Sequence, residues 1–214
     1  GGEEPSTPGT APAGAVAVDL GLPSGTKWAN MNVGAEQPED YGLYFAWGET
    51  VGYGSDTNDG RSFNWASYKW CNGSEDTMTK YCTDSSYGTV DNKTVLDLED
   101  DAAYVNWGSS WRMPTVTEIQ ELLDNTTSEW TTQNGIKGCK FTSKTNGNSI
   151  FLPAAGFRGG ADLTFQTSCG YYWSSSLHES YPNPARGLYF NLVGAYAGSG
   201  HRYYGRTVRP VLRN

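Results

Sequence analysis

Few side chains in this chain could do covalent, acid–base or metal chemistry. The imidazoles and thiols are His178, His201, Cys71, Cys82, Cys139 and Cys169. A Ser-His-Asp arrangement could draw on Ser174-Ser175-Ser176 and either histidine, but no G-x-S-x-G elbow surrounds those serines. A polar strand end explains them better. A facial iron triad would need Glu179 beside both histidines. The carboxylates Glu99, Asp100 and Asp101 fall at an expected helix start, where the positive end of the helix dipole accounts for them. Asp56-Thr57-Asn58-Asp59-Gly60 carries oxygen donors suited to calcium, but lacks the spacing of an EF-hand loop. It reads as a turn, with a structural calcium in that loop as the open alternative. No constellation of reactive groups stands out, so the chain is read as a non-enzyme that needs no cofactor.

The concentration of aromatic residues near the C-terminal end points elsewhere. Residues 171–204 hold nine of them: Tyr171, Tyr172, Trp173, Tyr181, Tyr189, Phe190, Tyr196, Tyr203 and Tyr204. Formal charge there is confined to Glu179, Arg186 and Arg202, and Gly, Ser, Asn and Ala fill most of the remainder. Antibody paratopes share this composition, because rigid amphipathic rings give contact area at low entropic cost while small polar residues adapt. Strand alternation places Leu188, Phe190 and Leu192 inside and Tyr189, Asn191 and Val193 outside. Alternation and loop position together nominate a binding surface of Leu177, His178, Tyr181, Asn183, Tyr189, Asn191, Val193, Tyr196, Ser199, His201 and Tyr203.

The elements that must position this surface are mostly short strands. Residues 15–33 read as two strands broken at Pro23-Ser24-Gly25, and residues 42–47 as a short aromatic strand. Residues 140–143 and 149–152 flank Asn146-Gly147, a strong hairpin signal. Residues 171–175, 187–193 and 206–212 are further strands. One helix is expected within residues 95–107, with Val95, Leu98, Ala102 and Val105 as its stripe. A second follows Pro114, where Thr115 and Glu118 spell a capping box ahead of Val116, Ile119, Leu122 and Leu123. Residues 48–92 form a loop region of a length that implies function or packing of its own. The fold class expected is α+β, with two short helices, small antiparallel sheets and long loops.

Charge and composition narrow the partners. The net charge of −8 over 214 residues, with no basic run, argues against nucleic acid. The longest apolar runs fall far short of the roughly 18 residues that a membrane span requires. Residues 1–14 read as a flexible linker, since they are rich in Pro, Ser, Thr, Gly and Ala. The opening Gly1-Gly2-Glu3-Glu4 suggests a missing upstream export or lipidation segment, with a cloning boundary as the alternative. Residues 15–214 then form a single domain, expected to be monomeric. In an exported chain Cys71 and Cys82 are the candidate disulfide, and buried free thiols are the alternative. Asp76-Thr77-Met78 resembles a short O-glycosylation sequon of gut bacteria.

Three segments carry a family resemblance. They are residues 18–35 with 41–50 (VDLGLPSGTKWANMNVGA, YGLYFAWGET), residues 100–123 (DDAAYVNWGSSWRMPTVTEIQELL), and FLPAAGFR, YYWSSS and GRTVRPV at 151–158, 171–176 and 205–211. Together they resemble the Fibrobacter succinogenes major paralogous domain family of bacterial exported proteins. The middle segment also resembles formylglycine-generating enzymes, and that resemblance implies a C-type-lectin-like domain for residues 15–214. The oxidase chemistry of that group depends on paired cysteines near the C-terminal end, where this chain has only Cys169. Gln37-Pro38-Glu39-Asp40 is similar to a calcium-binding motif of sugar-binding C-type lectins but lies too early in the chain. Domains of this kind are targets of diversity-generating retroelements, and residues 171–211 look like such a variable region. The function implied is adhesion or recognition of a protein or glycan, displayed at the cell surface as a lipoprotein or as part of a larger surface protein. The alternatives are a redox or metal enzyme on the formylglycine-type scaffold and a structural subunit of a surface assembly.

Overall fold

The computed structural model describes residues 9–214. Two minimal strands, β1 (Ala17–Val18) and β2 (Trp28–Ala29), precede a long irregular stretch and a 3-10 turn at Leu98–Asp100. Helix α1 (Ala102–Trp107), β3 (Trp111–Arg112) and helix α2 (Val116–Asn125) follow. The remaining strands are β4 (Thr126–Gln133), β5 (Ile136–Ser143), β6 (Ser149–Pro153), β7 (Phe157–Gly159) and β8 (Asp162–Thr164). The last four are β9 (Gly170–Leu177), β10 (Pro184–Phe190), β11 (Ala195–His201) and β12 (Val211–Leu212). The class is mixed α+β, built mainly from small antiparallel sheets ordered β1-β2-β12-β3, β4-β5-β6, β7-β8 and β11-β10-β9. The first of these joins the two ends of the chain, since Val211 pairs with both Trp28 and Arg112.

Helix α2 forms as the capping box predicts. The Thr115 hydroxyl accepts from the Glu118 amide at 3.2 Å, and the Glu118 carboxylate accepts from the Thr115 amide at 2.9 Å. Glu118 also receives both Arg112 Nη groups, at 2.6 and 2.7 Å, and so ties the helix to β3. The single helix expected within residues 95–107 is instead split. Asp101 breaks it by caping α1: its carboxylate accepts from the Ala103 and Tyr104 amides and also from Met113. A carboxylate with three backbone donors in reach stabilises a helix start better than a continuous helix. Val95 and Leu98 consequently lie outside the core, while Ala102, Ala103 and Trp107 are buried.

The Asn146-Gly147 connection joins β5 and β6 as expected, with only Gly147 at positive φ. A tighter hairpin was missed: β4 pairs with β5 through Asn134 (φ 48°) and Gly135 (φ 80°), where two positive φ values match a type I′ turn. Residues 42–47 and most of 206–212 make isolated bridges rather than continuous strands, Phe45 pairing with Arg206.

The expected linker is also corrected. Residues 1–8 lie outside the described residues, but 9–14 pack on the domain. The Gly9 amide donates to the Val105 carbonyl, the Ala11 amide donates to Trp107, and Ala11 rests against the core. Residues 48–92 carry their own packing around Phe63, Tyr68, Met78, Cys71 and Cys82. Within them the Cys71–Cys82 disulfide is not formed, and all four cysteines are buried free thiols. Cys71 pairs across its turn with Met78, not with Cys82. Its thiol donates to the Trp65 carbonyl at 3.1 Å, whereas that of Cys82 donates to Asp84 at 3.2 Å. No helix among the described residues is long and apolar enough to cross a membrane.

Candidate binding face on the C-terminal sheet

The β9-β10-β11 sheet separates its side chains by parity. Along β10, Leu188 and Phe190 are buried against the α2 side, where Phe190 meets Phe141, Tyr172 and Trp130. The opposite face receives Tyr189, and the register sets Tyr171 and Tyr196 directly beside it. The three rings form a row, with centroids 5.0 Å apart between Tyr171 and Tyr189 and 6.4 Å between Tyr189 and Tyr196. Cross-strand aromatic neighbours of this kind stabilise a sheet as well as presenting a surface. Tyr196 is 51% exposed, and its two neighbours are half-buried.

Two glycines continue the same face along β11. A Cβ on Gly198 would meet only the Cβ of Tyr189, at 3.6 Å, so the space above it is open. A Cβ on Gly200 would fall 2.1 Å from Nη2 of Arg206. The guanidinium therefore lies directly on the glycine backbone. It sits over the rings of Trp173, Tyr171 and Tyr204 at 4.5, 5.0 and 5.8 Å. Phe157 edges onto both Tyr171 and Tyr204 at 5.0 Å, and Tyr203 continues the rings to Trp65 at 4.8 Å. Burial pushes the Tyr171 and Tyr203 hydroxyls up to about 12, so both rings present neutral O–H groups.

The nominated residues divide into two groups, separated by roughly the 20 Å length of a seven-residue strand. Tyr189 and Tyr196 lie in the row, and Asn191 and Val193 lie in the turn beyond it. That turn corrects the expected alternation. The Asn191 side-chain Oδ1 accepts from the Val193 and Gly194 amides, ending β10 at Phe190. Leu192, expected inside, is 73% exposed, and Val193 is 84% exposed. At the other end, His178 Nδ1 accepts from the Ser180 and Tyr181 amides, and exposed Tyr181 stacks on its ring. Asn183 donates to Glu75 at 3.3 Å, while His201 stacks on Tyr203 at 5.4 Å. Ser199 is exposed but opposes Arg186 on the far face. Leu177 is a correction: at 4% exposure it belongs to the core beside Ala185. Tyr171, Tyr204, Phe157, Trp65 and Arg206 were not nominated. The glycine at position 200 was the available signal that something large lies on that strand, while Gly198 is open.

The reactive groups are engaged elsewhere. Ser174 donates to the Arg186 carbonyl, and the Ser176 hydroxyl caps α2 by accepting from Val116. Cys169 lies 3.8 Å from the Tyr189 hydroxyl, with no second thiol in contact. Asp97, Glu99 and Asp100 converge closely enough to hold a metal ion. The Lys80 ammonium already sits among them, at 3.0, 3.3 and 2.7 Å. Asp56 and Asp40 accept backbone amides in turns, and Asp59 pairs with Arg158 at 2.6 and 3.0 Å. Thr77 of the sequon-like tripeptide accepts from the Asn72 amide and donates to the Ser74 carbonyl. No family model, curated protein or solved structure matches the chain.

Proposed function

We propose that this protein is a recognition module with a C-type-lectin-like fold, exported and displayed at a cell surface, which binds a protein or glycan through the outer face of β9-β10-β11. The observation that carries this reading is the row Tyr171-Tyr189-Tyr196 beside open Gly198. Rings half out of water offer contact area with little to desolvate, and the glycines leave room for a partner to approach the backbone. The neighbouring turn adds the apolar side chains of Leu192 and Val193. The serines and Cys169 serve local hydrogen bonding and packing in this reading, and the protein acts by binding, without turnover.

The test is a screen of the purified chain against glycan arrays and surface proteins, followed by paired substitutions. Tyr196→Ala should weaken binding of the partner found by about 2 kcal/mol if the ring is a hot spot. Its effect on stability should stay within about 0.5 kcal/mol, as for other outward positions. Phe190→Ala should instead cost roughly 3–5 kcal/mol of stability by opening a core cavity. A partner whose binding ignores Tyr196 and maps to residues 48–92 would move the site.

A further inference from the structure

Resting on that reading, we infer that the face is built to take a carboxylate, carried on a sugar ring, onto the guanidinium of Arg206. Arg206 is only 5% exposed, yet its guanidinium makes no hydrogen bond or ion pair among the described residues. Burial without a counter-charge depresses its pKa to about 10. Nε is sealed from solvent with no acceptor, whereas Nη1 and Nη2 are also unpartnered but keep solvent contact. The end of the fork that faces out is therefore the end with free donors.

Other buried arginines in the chain are held differently. Arg202 donates to the Tyr68 hydroxyl and to the carbonyls of Tyr81, Pro182 and Lys80. Arg209 donates to Asn32, Ala29 and Phe151, and Arg158 pairs with Asp59. Around Arg206 the neighbours are ring faces and glycine backbone. Aromatic faces attract a cation but offer its five N–H donors no oxygen acceptor. A planar carboxylate matches two parallel Nη donors, and such bidentate pairs are the strong charge-assisted ones.

The setting selects the carrier. Tyr171 and Tyr204 close around the cation with rings already engaged by Arg206, Phe157 and Tyr203, so the contact area left beside it for the C–H face of a pyranose is the exposed Tyr196 ring. Gly198 leaves the floor open toward Tyr196. The chain's net charge of −8 disfavours an extended polyanion but not a single carboxylate neutralised locally. A uronic or nonulosonic acid fits these conditions.

The experiment titrates the full chain with sodium glucuronate, glucose and sodium acetate, following protein NMR signals and melting temperature. Glucuronate should saturate and shift the Tyr171, Tyr204 and Arg206 signals, with glucose and acetate each at least 10-fold weaker. Arg206→Met should abolish saturation while the protein stays folded. Arg206→Lys, which keeps the charge and loses the fork, should weaken it several-fold and serves if the methionine variant does not fold. Glucuronate binding that survives both substitutions, or acetate binding as tight as glucuronate, would overturn the carboxylate–sugar assignment. Those results leave the broader reading intact if Tyr196→Ala still weakens binding of a partner found in the screen. A partner indifferent to Tyr196 would sink that reading without touching the glucuronate result.

Discussion

Arg206 and Arg209 are three residues apart on one terminal segment, and both are buried, but they stand in opposite surroundings. Arg209 spans Ala29, Asn32 and Phe151, so one side chain bonds the N-terminal segment to β6. The Arg206 guanidinium lies on Gly200 among ring faces and bonds to no side chain or carbonyl among the described residues. The same residue type thus acts as a fastener in one place and as a stored charge in the other. Burial of a cation alone does not reveal which. The acceptor inventory around it does.

The comparison is tested most strongly by removing each guanidinium at constant bulk. Arg209→Met strands three buried acceptors and should cost roughly 3–5 kcal/mol in urea unfolding, while Arg206→Met should stay within about 0.5 kcal/mol or stabilise. Equal losses at the two positions would erase the distinction. A smaller effect is expected at Gly200, where a Cβ must push the guanidinium aside. Gly200→Ala should cost about 1–2 kcal/mol, and at least half of that should vanish in an Arg206→Ala background. A cost unchanged by that background would mean the clash is with something else.

The smallest effect sharpens the comparison with a third buried arginine, Arg158, whose partner is a carboxylate. That guanidinium lowers Asp59 to about 2, below its ordinary value near 3.8. A depressed folded pKa means the stabilisation is present above the unfolded value and is lost as pH falls through the folded one. The gap in melting temperature between the native chain and Asp59→Asn should therefore be constant above about pH 5 and close progressively toward pH 2. A gap that persists at pH 2 would show that the pair's charge is irrelevant.

Much of this architecture was legible in the sequence. The α2 start was read from Thr115 and Glu118, because a capping box is a local signal carried by two residues. The outward placement of Tyr189 followed from strand parity. Parity failed at Leu192 because Asn191 turns the chain, and an Asn-x-x-Gly tetrapeptide competes with strand continuation. The expected helix over 95–107 failed for a similar reason, since Asp101 can cap as well as continue. Cys71 and Cys82 were paired on spacing, which says nothing about where each thiol points. Arg206 could not be singled out, because lacking a partner is a property of its surroundings and not of the segment GRTVRPV.

The short strand β12 has a consequence for how the molecule is made. It fills the gap between β2 and β3, so the sheet closes only when residues near the end of the chain meet residues near its beginning. Contacts this distant in sequence are slow to form, and until they do the facing edges of β2 and β3 lack their partner. During synthesis the domain can acquire its α2 and β4-β5-β6 packing early but must wait for Val211 to seal the first strands. Loss of the last few residues would therefore leave two unpaired edges open to aggregation, while the tyrosine row of β9-β10-β11 would remain encoded in full.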